Sequence, residues 1–177
     1  MILVLAATED ELVGAPDGVL CGVGPVEAAA RATSAIAEAR PTAVLNVGLA
    51  GAGTFDREAF VIGSEAVYCD ADDPRWIELR VRAEPRLVEA ARRVLPDARV
   101  EPIGTSARVG GSAACDVEAM EGYAVLRAAA LAGVPAVEVR VVSNAVGEPD
   151  RSRWRIAEAK AALAVALPRL VEELEHA

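Results

Sequence analysis

Apolar residues come along this chain in short unbroken runs, each closed by acidic residues or by glycine and proline. The first, Ile2 to Ala7, is continuous rather than alternating, as expected of a strand covered on both faces. Thr8-Glu9-Asp10-Glu11-Leu12 follows as a turn or the start of a short helix. Ala15-Pro16-Asp17-Gly18 carries a turn signal, and Val19 to Val23 reads as a second strand. Gly24-Pro25 opens a helix to about Ala39, with proline at an early helical position and Glu27 near the positive end of the dipole. Pro41 ends it. Ala43 to Val47 is a third strand, expected to run into a loop of very small residues, Gly48-Leu49-Ala50-Gly51-Ala52-Gly53.

Val61 to Cys69 reads as a fourth strand that stops at Asp70-Ala71-Asp72-Asp73-Pro74. A surface helix over Glu84 to Leu95, a strand over Arg99 to Ile103 and a Gly/Ser loop over Gly104 to Ala114 follow. The stretch from Cys115 to Gly147 then holds an acidic turn at Val117–Gly122 and an Ala-rich helix to Ala132, closed by Gly133 and Pro135. A valine-dense strand from Ala136 to Ser143 comes next, with Asn144 just past its carboxyl end. Ser152 to His176 is helical, and Pro168 is expected to kink or split that helix. Strands alternating with helices indicate a largely parallel α/β sheet with helices on both faces, within a single domain over residues 1–177.

Composition narrows the function classes. The 177 residues are 53% hydrophobic but only 3% aromatic, so the core must be built from Ala, Val and Leu. A net charge of −9 leaves no basic face for a phosphate backbone, which argues against nucleic acid as a partner. No Lys/Arg cluster accompanies an amphipathic helix, no run reaches transmembrane length, and the apolar start turns acidic within nine residues. A cytoplasmic protein with no membrane partner is expected. Cys21, Cys69 and Cys115 are odd in number, widely spaced and set in apolar runs. They read as reduced, buried thiols rather than as a disulfide framework or zinc site. The only histidine, His176, stands one residue from the end, so histidine acid–base chemistry is not expected.

Four places carry candidate chemistry. GLAGAG has the wrong spacing for a dinucleotide fingerprint, but small residues at a strand's carboxyl end suit a flat base packed on backbone. One of Glu9, Asp10 and Glu11, straight after the first strand, is placed to point into a pocket; composition does not say which. Glu118 and Glu121 lie on an otherwise apolar segment, where an unpaired carboxylate would be expensive to bury. A carboxylate at a helix N-terminus is held ionised by the dipole and can accept from two vicinal hydroxyls, as a ribose offers. Met120 between them reads as core, and Glu138 and Arg140, on one face of their strand, can pair. Asn144 stands at the strand edge where open α/β sheets bind ligands. The Glu and the Asn thus look like two walls of one small-molecule pocket.

EDEL after the first strand, GVGPVEAA, NVGLAGAG, EAVYCDAD, VEAMEG and RVVSN occur in an order that resembles the nucleoside phosphorylase/nucleosidase superfamily, nearly end to end. The resemblance is to its hydrolytic branch, the methylthioadenosine/S-adenosylhomocysteine nucleosidases and, closer still, the futalosine hydrolases. It implies a three-layer α/β/α fold with a central mixed, largely parallel sheet. It also implies hydrolysis of futalosine to hypoxanthine and dehypoxanthine futalosine in menaquinone biosynthesis, without metal or cofactor, by a homodimer. Residue by residue, Glu11 matches the acid that positions and activates water. Ala50 and Gly51 match the loop whose backbone lies against the purine. Met120 and Glu121 match the ribose-binding pair. Asn144 sits where adenine-specific nucleosidases have an aspartate that supplies a proton to the leaving base.

The asparagine is the informative departure. Adenine shows N7 as acceptor and N6 as donor, which suits an acid; a 6-oxopurine shows two acceptors, N7 and O6. An amide can donate to O6 while its oxygen accepts a proton gained at N7. Asn144 therefore favours a 6-oxopurine such as the hypoxanthine of futalosine. ATEDEL and GLAGAG carry neither the arginine nor the serine that phosphorylases of this superfamily use for phosphate, which points to water as nucleophile. Arg108, Tyr123 or Trp154 could meet the 5′ carboxyphenyl end, and Glu118 is left without a direct role. The rival expectations are another purine nucleosidase, for methylthioadenosine, S-adenosylhomocysteine or aminodeoxyfutalosine, and a truncated non-catalytic purine-binding module.

Overall fold

The computed structural model describes residues 1–54, 56, 58–110 and 114–177. In chain order the elements are β1 (Ile2–Ala6), β2 (Val19–Leu20), α1 (Pro25–Ala39), β3 (Ala43–Ala52), β4 (Phe60–Tyr68), β5 (Arg80–Arg82), α2 (Pro85–Val94), β6 (Arg99–Thr105), β7 (Val117–Ala119), α3 (Gly122–Leu131), β8 (Ala136–Ala145) and α4 (Ile156–Glu175). Single 3₁₀ turns occupy Glu9–Leu12 and Arg151–Arg153.

The sheet is mixed. Pairing is parallel for β1 with β2 and β3, for β3 with β8, and for β6 with β4 and β7; it is antiparallel for β7 with β3 and for β4 with β5 and β8. The order runs β2-β1-β3-β7-β6-β4-β5, while β8 pairs with both β3 and β4, so β3, β7, β6, β4 and β8 close on themselves. Alternation in the sequence did not foretell that closure, because it is made by the short β7 inserting between β3 and β6.

Helices pack on both faces. α1 and α3 bury Ala28, Ala32 and Ile36 against Val125, Leu126 and Ala129 on one side, with Leu3, Leu5 and Val44 of the strands beneath. α2 and α4 bury Leu87, Ala90 and Ala91 with Leu163, Leu167 and Leu170 on the other, over Val137, Val139 and Val141. The i, i+4, i+7 spacing of the α4 leucines also explains why Pro168 does not split the helix, which continues through it as one element. Each buried leucine contributes about 1.5–3 kcal/mol, which together exceed the roughly 3 kcal/mol a helical proline costs.

Four further expectations need correction. GLAGAG is not a loop: β3 continues to Ala52, and the small residues are there for close approach by side chains from other strands. The acidic turn is strand β7 followed, after Met120, by Glu121 as N-cap of α3. Of the Gly/Ser loop, Gly104 and Thr105 belong to β6, and residues 111–113 lie outside the described residues. Only Cys21 is buried; Cys69 and Cys115 are partly exposed, and all three thiols are free. Among the described residues no helix is long and apolar enough to cross a membrane.

Candidate active site

The turn after β1, the distal half of β3, β7 and the end of β8 enclose a cavity of about 200 Å³. Glu11, Ala50, Gly51, Met120, Glu121 and Asn144, the six residues singled out from the sequence, all line it. Arg108 and Trp154 line it too, whereas Tyr123 points elsewhere: it stacks on Tyr68 at 5.0 Å and donates its hydroxyl to the Glu78 carbonyl.

Glu11 is the acid of the first turn that faces inward; Glu9 and Asp10 are exposed. Thr8 and Glu11 form a capping box, Glu11 Oε2 accepting from the Thr8 N–H at 3.0 Å and the Thr8 hydroxyl at 2.8 Å. Oε1 accepts from the Leu49 N–H at 3.0 Å. T-x-x-E at the start of a helical turn is a sequence signature of that box, and it would have chosen Glu11 among the three acids. At Gly48 a β-carbon would press on Glu11 Oε1, at 2.8 Å, and on the Arg140 guanidinium, so glycine makes room for both.

Behind Glu11 and Glu121 lies a buried charge cluster. Arg140, 1% exposed, donates from Nε to Glu138 Oε1 at 2.7 Å, from Nη1 to Glu121 Oε2 at 3.3 Å and from Nη2 to Asn46 Oδ1 at 2.7 Å. Asn46 is oriented by donating to the Leu5 carbonyl at 3.0 Å. Glu121 Oε1 accepts from the Gly24 N–H at 3.0 Å, so the acid that opens α3 also satisfies the residue that caps α1. Burial works against the Arg140 charge, but Glu138, Glu121 and Glu11 outweigh it and hold the guanidinium protonated. Burial is likewise the main influence on Glu138, raising its carboxyl above the ordinary value despite Arg140, and its Oε2 has no hydrogen-bond partner. The Glu138–Arg140 pair expected from the strand is present, and it reaches the cavity wall through Glu121.

Asn144 lies within β8, not past its end. The pairing with β3 slips between Ala50 and Gly51, where Val142 and Asn144 are the successive partners, leaving Ser143 as a bulge. A bulge re-aims the side chains beside it. Asn144 Oδ1 accepts from the Ser143 hydroxyl at 2.9 Å and Nδ2 donates to the Ala145 carbonyl at 3.1 Å. Glu118 also lines this end of the cavity, 6% exposed, with Oε1 accepting from the Gly110 N–H at 2.6 Å. Of the other residues at the site, the sequence named Arg140 only as a partner for Glu138, left Glu118 without a direct role and did not single out Thr8. Among the described residues no group of three or more His, Cys, Asp or Glu could hold a metal ion.

No family model matches the chain. In sequence it is similar to the futalosine hydrolase of Streptomyces coelicolor, 57% identical over 58 residues that make up 33% of this chain and 25% of that protein. It is similar to the futalosine hydrolase of Thermus thermophilus at 37% identity over 86 residues, 49% of this chain and 36% of that one. The matched stretches thus span about a third or less of these relatives' lengths. In fold, the methylthioadenosine/S-adenosylhomocysteine nucleosidase of Neisseria meningitidis, solved with methylthio-immucillin-A, superposes with a TM-score of 0.86 at 20% identity, covering 97% of this chain and 98% of that one. The native futalosine hydrolase of Helicobacter pylori gives 0.84 at 16% identity, covering 97% of each. The chain has the mixed α/β fold of these nucleosidases.

Proposed function

We propose that the protein hydrolyses the N-glycosidic bond of futalosine, releasing hypoxanthine. The observation that carries this reading is the placing of two unlike groups along one strand. Glu11 and Arg140 crowd Gly48 of β3, while Asn144 borders Gly51. Three residues of strand span roughly 10 Å, which accommodates a ribose beside a purine.

The chemistry follows from those groups. A water held on Glu11 attacks C1′ as the C1′–N9 bond breaks, and its proton passes to the Glu11 carboxylate and on to solvent. The bonding pair leaves with the purine, whose N7 takes a proton from solvent; Asn144 Oδ1 accepts from that N7–H while Nδ2 donates to O6. Glu121 takes the ribose hydroxyls, held in place by Arg140 and the Gly24 N–H, and Met120 packs on the sugar. Positive charge grows on the ribose in this step. A carboxylate about 5 Å from it contributes roughly 3 kcal/mol at an effective dielectric constant near 20.

On this reading the chain is one nucleosidase domain, three-layered where α1, α3, α2 and α4 flank β1 and β3. It acts in the cytoplasm in menaquinone biosynthesis, and its working form is a homodimer. The exposed Val23 and Val109 at the cavity rim support a second copy there. The deciding experiment incubates the protein with futalosine, aminodeoxyfutalosine, methylthioadenosine and inosine, with and without phosphate, and follows free base. Hypoxanthine from futalosine in phosphate-free buffer is expected. A phosphate requirement overturns hydrolysis, faster release of adenine moves the assignment to an amino-purine nucleosidase, and binding without release leaves a purine-binding module.

A further inference from the structure

Glu138 does not line the cavity, and the chemistry above does not use it. It is fully buried with Oε2 unpartnered, and it requires glycine at position 122, where a β-carbon would collide with its carboxylate. A buried polar atom without a partner is expensive, so its presence calls for a reason. Balancing the Arg140 charge is not a sufficient one. Glu121 already pairs with Arg140 Nη1, and Glu11 Oε1 shares with Nη1 the space over Gly48.

The strand register supplies the reason. β3 and β8 pair Asn46 with Glu138 and Gly48 with Arg140. Asn46 and Glu138 therefore stand opposite each other, two residues before the arginine, and both reach its guanidinium. Glu138 Oε1 accepts from Nε at 2.7 Å and Asn46 Oδ1 from Nη2 at 2.7 Å. A guanidinium is planar and rigid, so fixing two of its nitrogens fixes the direction of the third. That third nitrogen, Nη1, donates to Glu121 Oε2 at 3.3 Å. Asn46 by itself would leave the plane free to turn about a single bond. We infer that Glu138 is a positioning residue that acts through Arg140 to aim the Glu121 carboxylate at the ribose hydroxyls; this rests on the nucleosidase reading above. What Glu138 supplies is an oxygen at Nε, not a third negative charge.

The test compares the wild type with Glu138→Gln, Glu138→Asp and Glu138→Met, following base release from inosine, 2′-deoxyinosine and 3′-deoxyinosine. Ratios are taken within each protein and referred to the wild type, which cancels differences in intrinsic lability. Glu138→Gln keeps an oxygen within reach of Nε and should hold the inosine-to-deoxyinosine ratios within about threefold of wild type. Glu138→Asp is one methylene short and Glu138→Met has no oxygen. Both should lower at least one ratio roughly ten- to hundred-fold, the range for one hydrogen bond to a charged group. The reverse order, with Asp tolerated and Gln impaired, overturns the inference in favour of a role through charge. Equal losses on all three nucleosides overturn it in favour of packing alone. If Glu138→Met does not fold, Glu138→Asp against Glu138→Gln decides. The same proteins are titrated calorimetrically with the C-nucleoside isostere of inosine and its 2′-deoxy form, which have no N-glycosidic bond to break. Base release with unchanged ratios overturns the role of Glu138 and leaves the hydrolase standing. A shifted affinity ratio without base release by the wild type does the opposite.

Discussion

Gly122→Ala is a one-methyl change whose effect should reach the site through two buried residues. Gly122 is the first residue of α3 and is not among the glycines with positive φ, so backbone strain gives no reason for glycine there. The reason is space: a β-carbon would overlap both oxygens and the carboxyl carbon of Glu138. Glu138 is fully buried and bonded to Arg140 Nε, so it cannot retreat without breaking that 2.7 Å contact. Overpacking costs about 1–3 kcal/mol and breaking a buried ion pair about 3–5 kcal/mol. We expect Gly122→Ala to lose about 3–5 kcal/mol in urea unfolding at unchanged m-value. Nucleoside turnover should fall as well, because Arg140 also positions Glu121. In a Glu138→Ala background the collision is gone, and Gly122→Ala should cost less than about 1 kcal/mol, since alanine is the better helix former. The double-mutant coupling should therefore be about 2 kcal/mol or more. Additivity within about 0.5 kcal/mol, or a tolerated Gly122→Ala in the wild type, would refute this account of the cluster.

Other consequences can be checked separately. Thr8→Ala removes the hydroxyl that donates to Glu11 and should lower kcat by roughly ten- to hundred-fold with little change in KM; a pure KM effect would mean that the capping box does not steer the acid. Asn144→Asp should shift kcat/KM toward aminodeoxyfutalosine and methylthioadenosine at the expense of futalosine, and an unchanged order would remove Asn144 from base selection. Burial, with help from Glu121, raises Cys21 from 9.0 to about 12. Between those values the unfolded chain binds fewer protons than the folded one. The stability that Cys21 contributes is thus full below pH 9 and lost as the pH rises toward 12. Cys21→Ala should flatten denaturation midpoints across that window, and a slope identical to wild type would contradict the burial of this thiol.

Much of the fold was legible because its signals are local. Gly24-Pro25 and Pro41 bracket α1, Gly133 and Pro135 close α3, and the unbroken apolar runs mark β1 and the bulk of β8. What was not legible is set by partners distant in the chain. Gly48 and Gly51 read as loop residues, yet they answer to Arg140, Glu118 and Asn144, about 70 to 90 positions away, and they belong to a strand. β7 has only three residues, too few for a period, and exists because β3 and β6 both pair with it. The Ser143 bulge, which turns Asn144 inward, leaves no trace in a valine-rich run. Glu11 is different: Thr8 three residues before it was a readable cap signal that distinguishes it from Glu9 and Asp10.

The central claim is that one cavity holds an acid for water and a reader for a 6-oxopurine. Following hypoxanthine release from futalosine by the wild type and Glu11→Gln, with hypoxanthine affinity measured on both, tests it most directly. The wild type should release one hypoxanthine per futalosine consumed in phosphate-free buffer. Glu11→Gln should bind hypoxanthine within about threefold of wild type yet release it roughly 10²–10⁴-fold more slowly, the range for losing a general base. Equal rates in the two proteins, or no release by the wild type, would contradict it.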